Sequence, residues 1–140
     1  MGTRGKFEGK HSELTGKILG VFFQVHKELG YGFSEKVYEN ALVILLTEIG
    51  LNVESQAHLR VYFHCQKVGK HIADLIVNDI VLLELKAAEK IVDDHPAQLL
   101  NYLKATNIEV GLVLNFGPTA EFRRKVYDNE RKGSLSWTKE

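Results

Sequence analysis

The sequence is poor in the residues that would restrict it to a special class of protein. Only one of its 140 residues is cysteine, Cys65, so an internal disulfide framework is excluded and a reducing compartment is indicated. Neither sign of charge is in excess, because 18 lysines and arginines balance 18 aspartates and glutamates. There is thus no global basic field to indicate nucleic acid, and no acidic surplus to indicate disorder. Any polyanionic partner must be held locally.

Long apolar segments are also missing. No run of apolar residues is long enough to span a membrane, and the first ten residues, MGTRGKFEGK, have no signal-peptide core. We therefore expect a cytoplasmic protein without membrane contact. The length fits one domain over residues 1–140, with loose tails at residues 1–10 and 131–140.

Two helices are predicted at the start of the chain. Apolar residues recur with helical spacing from Ser12 to Leu29, and Gly30 ends this stripe. Ser34 is a suitable N-cap for a second helix that ends near Gly50. The glycines of the intervening loop match neither a P-loop nor a dinucleotide fingerprint, so Gly32 is interpreted as a turn residue.

The period of the apolar pattern then changes from 3.6 to 2, which predicts strands. The remaining predicted elements are strands at 53–63, 69–77 and 80–87, a helix that starts near Asp93 with its body at 98–105, a strand at 109–115 and a closing helix at 119–130. This order predicts an α/β fold with a mixed four-stranded sheet flanked by helices. Three strands are antiparallel, and a right-handed crossover helix adds the fourth in parallel.

Two charged residues interrupt the most apolar strand, within the segment IVLLELKA. A buried charge without a partner is costly, so Glu84 and Lys86 require an explanation. Being two residues apart, their side chains leave the same face of the strand, while Leu83 and Leu85 point to the other face. An ordinary ion pair with neighbouring residues would also explain them.

Asp74 on the preceding strand joins these residues only in one hairpin register. A two-residue turn at Asn78-Asp79 would place Asp74 opposite Leu83, pointing away from Glu84. An odd loop or a bulge would place it across from Glu84. We favour the second register, because two adjacent carboxylates need a cation between them and Mg²⁺ prefers such oxygen ligands. Beside the ion, Lys86 could orient a water molecule and offset charge on a phosphate.

These residues resemble a known family. Asp74 followed by Glu84-Leu85-Lys86 on consecutive strands is similar to the D…(D/E)-x-K core of the PD-(D/E)XK nuclease superfamily, although Ala73 replaces the proline. The stretch from Gly32 through Glu35 to Tyr38 resembles the motif of its GxxExxY family. The similarity runs from about Ile18 to about Arg124 and includes QLLNYLKAT and GLVLNFG.

The resemblance implies a restriction-endonuclease-like core and a metal-dependent nuclease that acts on nucleic acid, most simply DNA. It implies that Asp74, Glu84 and the Leu85 carbonyl bind Mg²⁺, with Mn²⁺ as a possible substitute, and that Lys86 positions the water. RecB-like relatives carry a Q-x-x-x-Y motif, to which Gln98 and Tyr102 correspond. Glu35 is carried over as a further acidic residue that reaches the metal directly or through water.

Other interpretations stay open. Gln98 could be a surface residue, Tyr102 a core residue, and Glu35 a first-turn glutamate stabilised by the helix dipole. His26, on a largely apolar helix, is interpreted as a structural residue, and His58, His64 and His71, which lack zinc-site spacing, are interpreted as surface or structural residues.

The balanced charge also favours an alternative function, a catalytically silent module that binds nucleic acid or protein on the same fold. A homodimer or a protein partner could supply the affinity that a neutral chain lacks. The basic residues that could form a local rim are Lys104, Arg123, Arg124, Lys125, Arg131 and Lys132.

Overall fold

The structure is a computed structural model, and it describes residues 9–132. Its helices and strands are α1 (Ser12–Leu29), α2 (Glu35–Glu48), β1 (Val53–Phe63), β2 (Gln66–Val77), β3 (Val81–Lys86), α3 (Asp94–Ala105), β4 (Val110–Phe116) and β5 (Ala120–Val126), followed by a short 3-10 helix (Asn129–Lys132). None of the helices within residues 9–132 is long and apolar enough to cross a membrane.

The strands form one mixed sheet in the order β1-β2-β3-β4-β5. The first three strands are antiparallel, and β3 and β4 are parallel with α3 connecting them. This confirms an α/β fold with helices flanking a mixed sheet. The prediction of four strands is wrong, because β5 pairs antiparallel with β4.

The predicted closing helix at 119–130 is therefore a strand. The prediction relied on Phe122 and Val126, whose spacing of four fits one face of a helix. The same spacing also places two residues on one face of a strand, because four is a multiple of two. In the sheet, Phe122 pairs with Leu114 and Val126 pairs with Val110, and both pack against the apolar core.

The sheet separates two apolar clusters. The larger cluster joins α1 and α2 to one face of the sheet, and Leu83 and Leu85 of β3 belong to it. The smaller cluster lies on the α3 side and contains Leu82 with Leu99 and Leu103. β3 is thus covered on both faces, as its unbroken apolar character predicts.

Part of the predicted tails lies outside the described residues, namely 1–8 and 133–140. The described parts are in contact with the rest of the fold. Lys10 Nζ lies 3.2 Å from carboxylate oxygens of both Glu109 and Asp128. Lys132 Nζ donates hydrogen bonds to the carbonyl oxygens of Thr106 at 2.8 Å and Ile108 at 2.9 Å, and burial lowers its pKa to about 8.

The seating of α3 on the sheet depends on a glycine in β4. A Cβ atom at Gly111 would lie 2.7 Å from Leu99 Cδ1, which is closer than carbon atoms pack. We expect Gly111→Ala to lower the free energy of unfolding by about 1–3 kcal/mol through overpacking. Gly20→Ala is the matched control, because this exposed position of α1 has open space for a Cβ atom. We expect it to raise the free energy of unfolding by about 0.5–1 kcal/mol. Urea denaturation measures both changes, and a Gly111→Ala protein as stable as the wild type would contradict the packing argument.

Candidate active site

The β2–β3 hairpin sets the position of Asp74. Its loop consists of Asn78, Asp79 and Ile80, the first two with left-handed φ angles of 54° and 56°. Val77 pairs with Val81, and Leu75 pairs with Leu83. Continuing this register by one residue places Asp74 opposite Glu84, which confirms the odd-loop alternative.

Asp74 lies where the regular alternation of β2 breaks. Leu75 and Val77 pack into the larger cluster, as alternation requires, but Ala73 and Ile76 both pack into the smaller one. The residue of β1 opposite Asp74 is Gln56, and its φ of 52° marks the same irregularity. Such distortions redirect side chains and are frequent next to active sites.

A hydrogen bond fixes the Asp74 carboxylate to the neighbouring strand. The Leu85 backbone N–H donates to Asp74 Oδ2 at 2.7 Å. The β2–β3 backbone pairing ends at Leu75 and Leu83. Beyond that point the backbone N–H of β3 is bonded to a side-chain oxygen of β2 instead of a backbone carbonyl. The Asp74 carboxylate is thereby bonded to the backbone of Leu85, the residue that lies between Glu84 and Lys86 in the sequence.

Glu84 is held by a residue that the sequence pattern placed among surface or structural histidines. His71 Nε2 lies 2.7 Å from Glu84 Oε2, and both side chains are largely buried. The His71 ring stacks on Tyr102 of α3, with centroids 3.8 Å apart and planes 11° apart. His71 therefore belongs to the candidate site. Strict alternation would have put it on the opposite face from Ile76, and only the irregularity at Asp74 changes this.

Both carboxyl groups are electrostatically unfavourable in their ionised forms. Burial raises the pKa of Asp74, and the Glu39 charge raises it too, against the opposing effects of the Leu85 N–H, Lys86 and His71. Burial also raises the pKa of Glu84, and Asp74 adds to this, whereas His71 and Lys86 lower it. Two partly desolvated anions that repel each other form a site in which a cation is stabilised.

Lys86 faces this pair without a fixed partner. Its side chain is half-buried, and it forms no hydrogen bond or ion pair with any other residue in 9–132. Its opposite on β4 is Asn115, which is fully buried. The Asn115 amide accepts from the Ala88 N–H at 2.9 Å and donates to the Ala88 carbonyl at 3.0 Å, which fixes the chain just after Lys86.

The acidic residue of α2 whose charge acts on Asp74 is Glu39, one turn after the predicted Glu35. Glu39 is only 4% exposed and accepts from Gln56 Nε2 at 3.0 Å and Lys36 Nζ at 3.2 Å. Glu35 is exposed, and neither Asp74 nor Glu84 has it among the charges that act on its pKa. The spacing of four was a usable signal for Glu39, since i and i+4 share a helix face.

Glu35 instead lies close enough to act on His95. Burial and the Lys86 charge lower the pKa of His95, whereas Asp94 and Glu35 raise it. The His95 Nδ1 atom is buried and has no hydrogen-bond partner within residues 9–132. Any contact of Glu35 with a metal stays a prediction.

The two residues of the Q-x-x-x-Y motif have different surroundings. Gln98 is exposed on α3, and its amide forms no hydrogen bond with any residue in 9–132. Tyr102 is half-buried beneath His71. Tyr102 therefore contacts the site indirectly, through the His71 ring, whereas Gln98 faces solvent.

The G-x-x-E-x-x-Y stretch has a structural explanation at its tyrosine. The Tyr38 hydroxyl donates to the Gly30 carbonyl at 2.5 Å and accepts from the Phe33 N–H at 3.2 Å. Its buried ring stacks on Phe116 at 4.2 Å. Gly32 has a φ of 120°, which confirms it as a turn glycine.

His26 Nε2 lies 2.8 Å from the Gly117 carbonyl, a structural contact.

A divalent ion fits the donors that the site offers, although they are few. No group of three or more His, Cys, Asp and Glu side chains that could hold a metal occurs within residues 9–132. The available donors are the carboxylates of Asp74 and Glu84 and the backbone carbonyl of Leu85 between Glu84 and Lys86. These are hard oxygen ligands, and Mg²⁺ is commonly bound by one or two carboxylates with waters completing its shell.

Comparison with known proteins agrees with this geometry. The profile of the PD-(D/E)XK nuclease superfamily matches residues 12–126, and the chain therefore belongs to that superfamily. Members of this superfamily are generally hydrolytic nucleases that use divalent metal ions.

One solved structure gives an independent likeness in fold. The crystal structure of SSO0001 has a TM-score of 0.54 and 17% sequence identity, over 89% of this chain. The match spans 61% of that solved chain, about three fifths of its length. No curated protein matches the chain.

The raised pKa of Glu84 predicts a stability change when its charge is removed. An unfolded chain ionises Glu84 near the ordinary glutamate pKa of 4.5, before the folded protein does. Stability is therefore lost as the pH rises through that value, and the loss persists above the folded pKa. In EDTA, Glu84→Gln should unfold at a higher temperature than the wild type at pH 7–8 and lose this advantage near pH 3.

Glu54→Gln, at an exposed position of β1, is the control for this measurement, and we expect it to stay within about 0.5 kcal/mol of the wild type. A Glu84→Gln protein that is less stable than the wild type at pH 8 would refute the electrostatic argument.

Proposed function

We propose that this chain is a metal-dependent phosphodiesterase that hydrolyses nucleic acid, most simply DNA. The observation that carries the proposal is the placement of Asp74 opposite Glu84, with Lys86 acting electrostatically on both carboxylates. We infer that the protein acts in the cytoplasm, in keeping with a chain that has a single cysteine.

Asp74, Glu84 and the Leu85 carbonyl would hold Mg²⁺, with Mn²⁺ as a substitute. When bound, such an ion supplies Lewis-acid chemistry and lowers the pKa of water from about 15.7 toward neutrality. The polypeptide then needs no serine or cysteine nucleophile. The remaining steps fall to the side chains around this pair.

Lys86 has the position and the freedom to act on the reacting phosphate. Its ammonium group orients the attacking water and offsets the negative charge that develops as the new P–O bond forms. In-line displacement breaks the bond to the 3′ oxygen, leaving a 3′-hydroxyl and a 5′-phosphate. Asn115 holds the backbone after Lys86 and so limits where the ammonium can be.

Gln98 and Glu35 complete the proposed site from the solvent side. Both are exposed, so Gln98 is available to donate to a phosphate oxygen, and Glu35 would reach the ion through water. Tyr102 contributes through His71.

We further infer that the chain is a GxxExxY member of the RecB-like branch of the superfamily. The anchoring of the Gly30–Phe33 turn by Tyr38, and the approach of Tyr102 to the site, supply physical reasons for both motifs.

The alternative is a catalytically silent module that binds nucleic acid or protein. Its protein-binding form is favoured by the engagement of several basic residues between Lys104 and Lys132 in contacts within the chain. Lys132 is bonded to two carbonyls, Arg124 donates to the Lys10 carbonyl, and Lys104 and Arg131 lie over the Tyr127 ring at 5.4 and 4.5 Å. Few of these cations are free to contact phosphates. A homodimer would double such contacts, and analytical ultracentrifugation tests for it.

Cleavage assays separate the two functions. Supercoiled plasmid, linear duplex, single-stranded DNA, RNA and free nucleotides are each incubated with the protein in Mg²⁺, Mn²⁺ or EDTA. We expect polymer cleavage that requires the metal and falls by on the order of 10²–10³-fold in Lys86→Met, because one charge-stabilising group is removed. Asp74→Ala should abolish cleavage together with metal binding.

Lys17→Met, at an exposed position of α1, removes the same charge away from the site and should leave cleavage unchanged. Polymer binding without cleavage in every metal would establish the module instead. Turnover of nucleotides but not polymers would indicate a hydrolase of small phosphorylated molecules.

A further inference from the structure

His71 connects α3 to the carboxylate pair by two well-defined contacts. One is the 2.7 Å approach of its Nε2 to Glu84 Oε2, and the other is the stack on Tyr102 with planes only 11° apart. The side chains of His71 and Glu84 are 18% and 15% exposed, so water competes little for the contact. Burial of this kind strengthens a hydrogen bond and makes its loss costly.

The chemistry of the two partners determines the direction of the bond. In the ionised form that can bind a metal, the Glu84 carboxylate only accepts hydrogen bonds, so in that form His71 Nε2 carries the hydrogen and donates it. The donation engages Glu84 Oε2 and leaves the other carboxylate oxygen for a further ligand. His71 thus occupies one oxygen of Glu84, and no hydrogen bond within residues 9–132 occupies the other.

The stack on Tyr102 fixes the orientation of that donor. A histidine ring can rotate about two side-chain bonds, and an aromatic surface parallel to it at 3.8 Å removes most of this freedom. Tyr102 lies on α3, which packs on β4 through Leu99 and Gly111. The imidazole is therefore held by the rigid part of the fold, and β2 supplies both His71 and Asp74.

We propose that His71, supported by Tyr102, is a positioning residue that aims the free oxygen of Glu84 at the metal. This inference rests on the proposed function, because it concerns the same pair of carboxylates. It assigns the tyrosine of the Q-x-x-x-Y motif a role without substrate contact: its ring is the surface on which the histidine is held. Residues that orient a ligand in this way typically contribute about 10–100-fold to metal affinity.

The test measures Mn²⁺ binding by titration calorimetry without substrate. His71→Phe keeps an aromatic ring to stack on Tyr102 but has no donor for Glu84, so we expect Mn²⁺ affinity to fall by about 10–100-fold. His71→Gln restores an N–H donor without the ring and should recover part of the affinity. Tyr102→Leu, which removes the stacking surface, should weaken binding more than Tyr102→Phe does.

His58→Phe is the matched control, an exposed histidine of β1 that should bind Mn²⁺ like the wild type. Thermal unfolding of each variant verifies that it is folded, and the ratio between His71→Phe and His71→Gln separates a lost donor from a general packing defect. A His71→Phe protein with wild-type Mn²⁺ affinity would overturn the inference while leaving the proposed function intact. A wild-type protein that binds no Mn²⁺ would overturn both.

Discussion

The candidate site depends on the hydrogen bond from the Leu85 N–H to Asp74 Oδ2. Backbone pairing between β2 and β3 ends at Leu75 and Leu83, and this bond to a carboxylate follows directly after the last backbone pair. Glu84 and Lys86 flank Leu85, so the bond places the Asp74 carboxylate next to the backbone from which both side chains extend. Burying two acids this close raises the pKa of each, an electrostatic cost that a bound divalent ion would offset.

Around this bond, the contacts form two layers with different tasks. Glu84, Asp74 and Lys86 face one another, and none of the described residues pairs with the lysine. Behind them, His71, Gln56, Glu39 and Asn115 bond to side chains or backbone of neighbouring strands and helices. The carboxylates and the Lys86 ammonium thus keep capacity for ligands, whereas the residues behind them are held by contacts within the protein, an arrangement that preorganises a reactive site.

Local patterns were enough to predict most of the fold, and they failed where two periods coincide. The bounds of α1 and β1 and the parallel pairing of β3 with β4 follow from spacing, whereas the hairpin register at Asp74 is favoured because two adjacent carboxylates need a cation. β5 does not follow from spacing, because Phe122 and Val126 satisfy a helix and a strand equally. Glu39 could have been found from its spacing of four from Glu35. His71 could not, because its partner Tyr102 is distant in sequence and the break in alternation at Asp74 leaves no mark in the residue pattern.

Replacing the expected last helix by a strand changes what the border of the sheet presents to solvent. Among the strands of residues 9–132, β5 is paired with β4 alone, so no other strand in that range pairs with its outer backbone groups. Three consecutive cations, Arg123, Arg124 and Lys125, lie along this border. Charged side chains on an edge strand disfavour its pairing with the edge of another molecule's sheet, so the sequence FRRKV is typical of a border that resists strand addition.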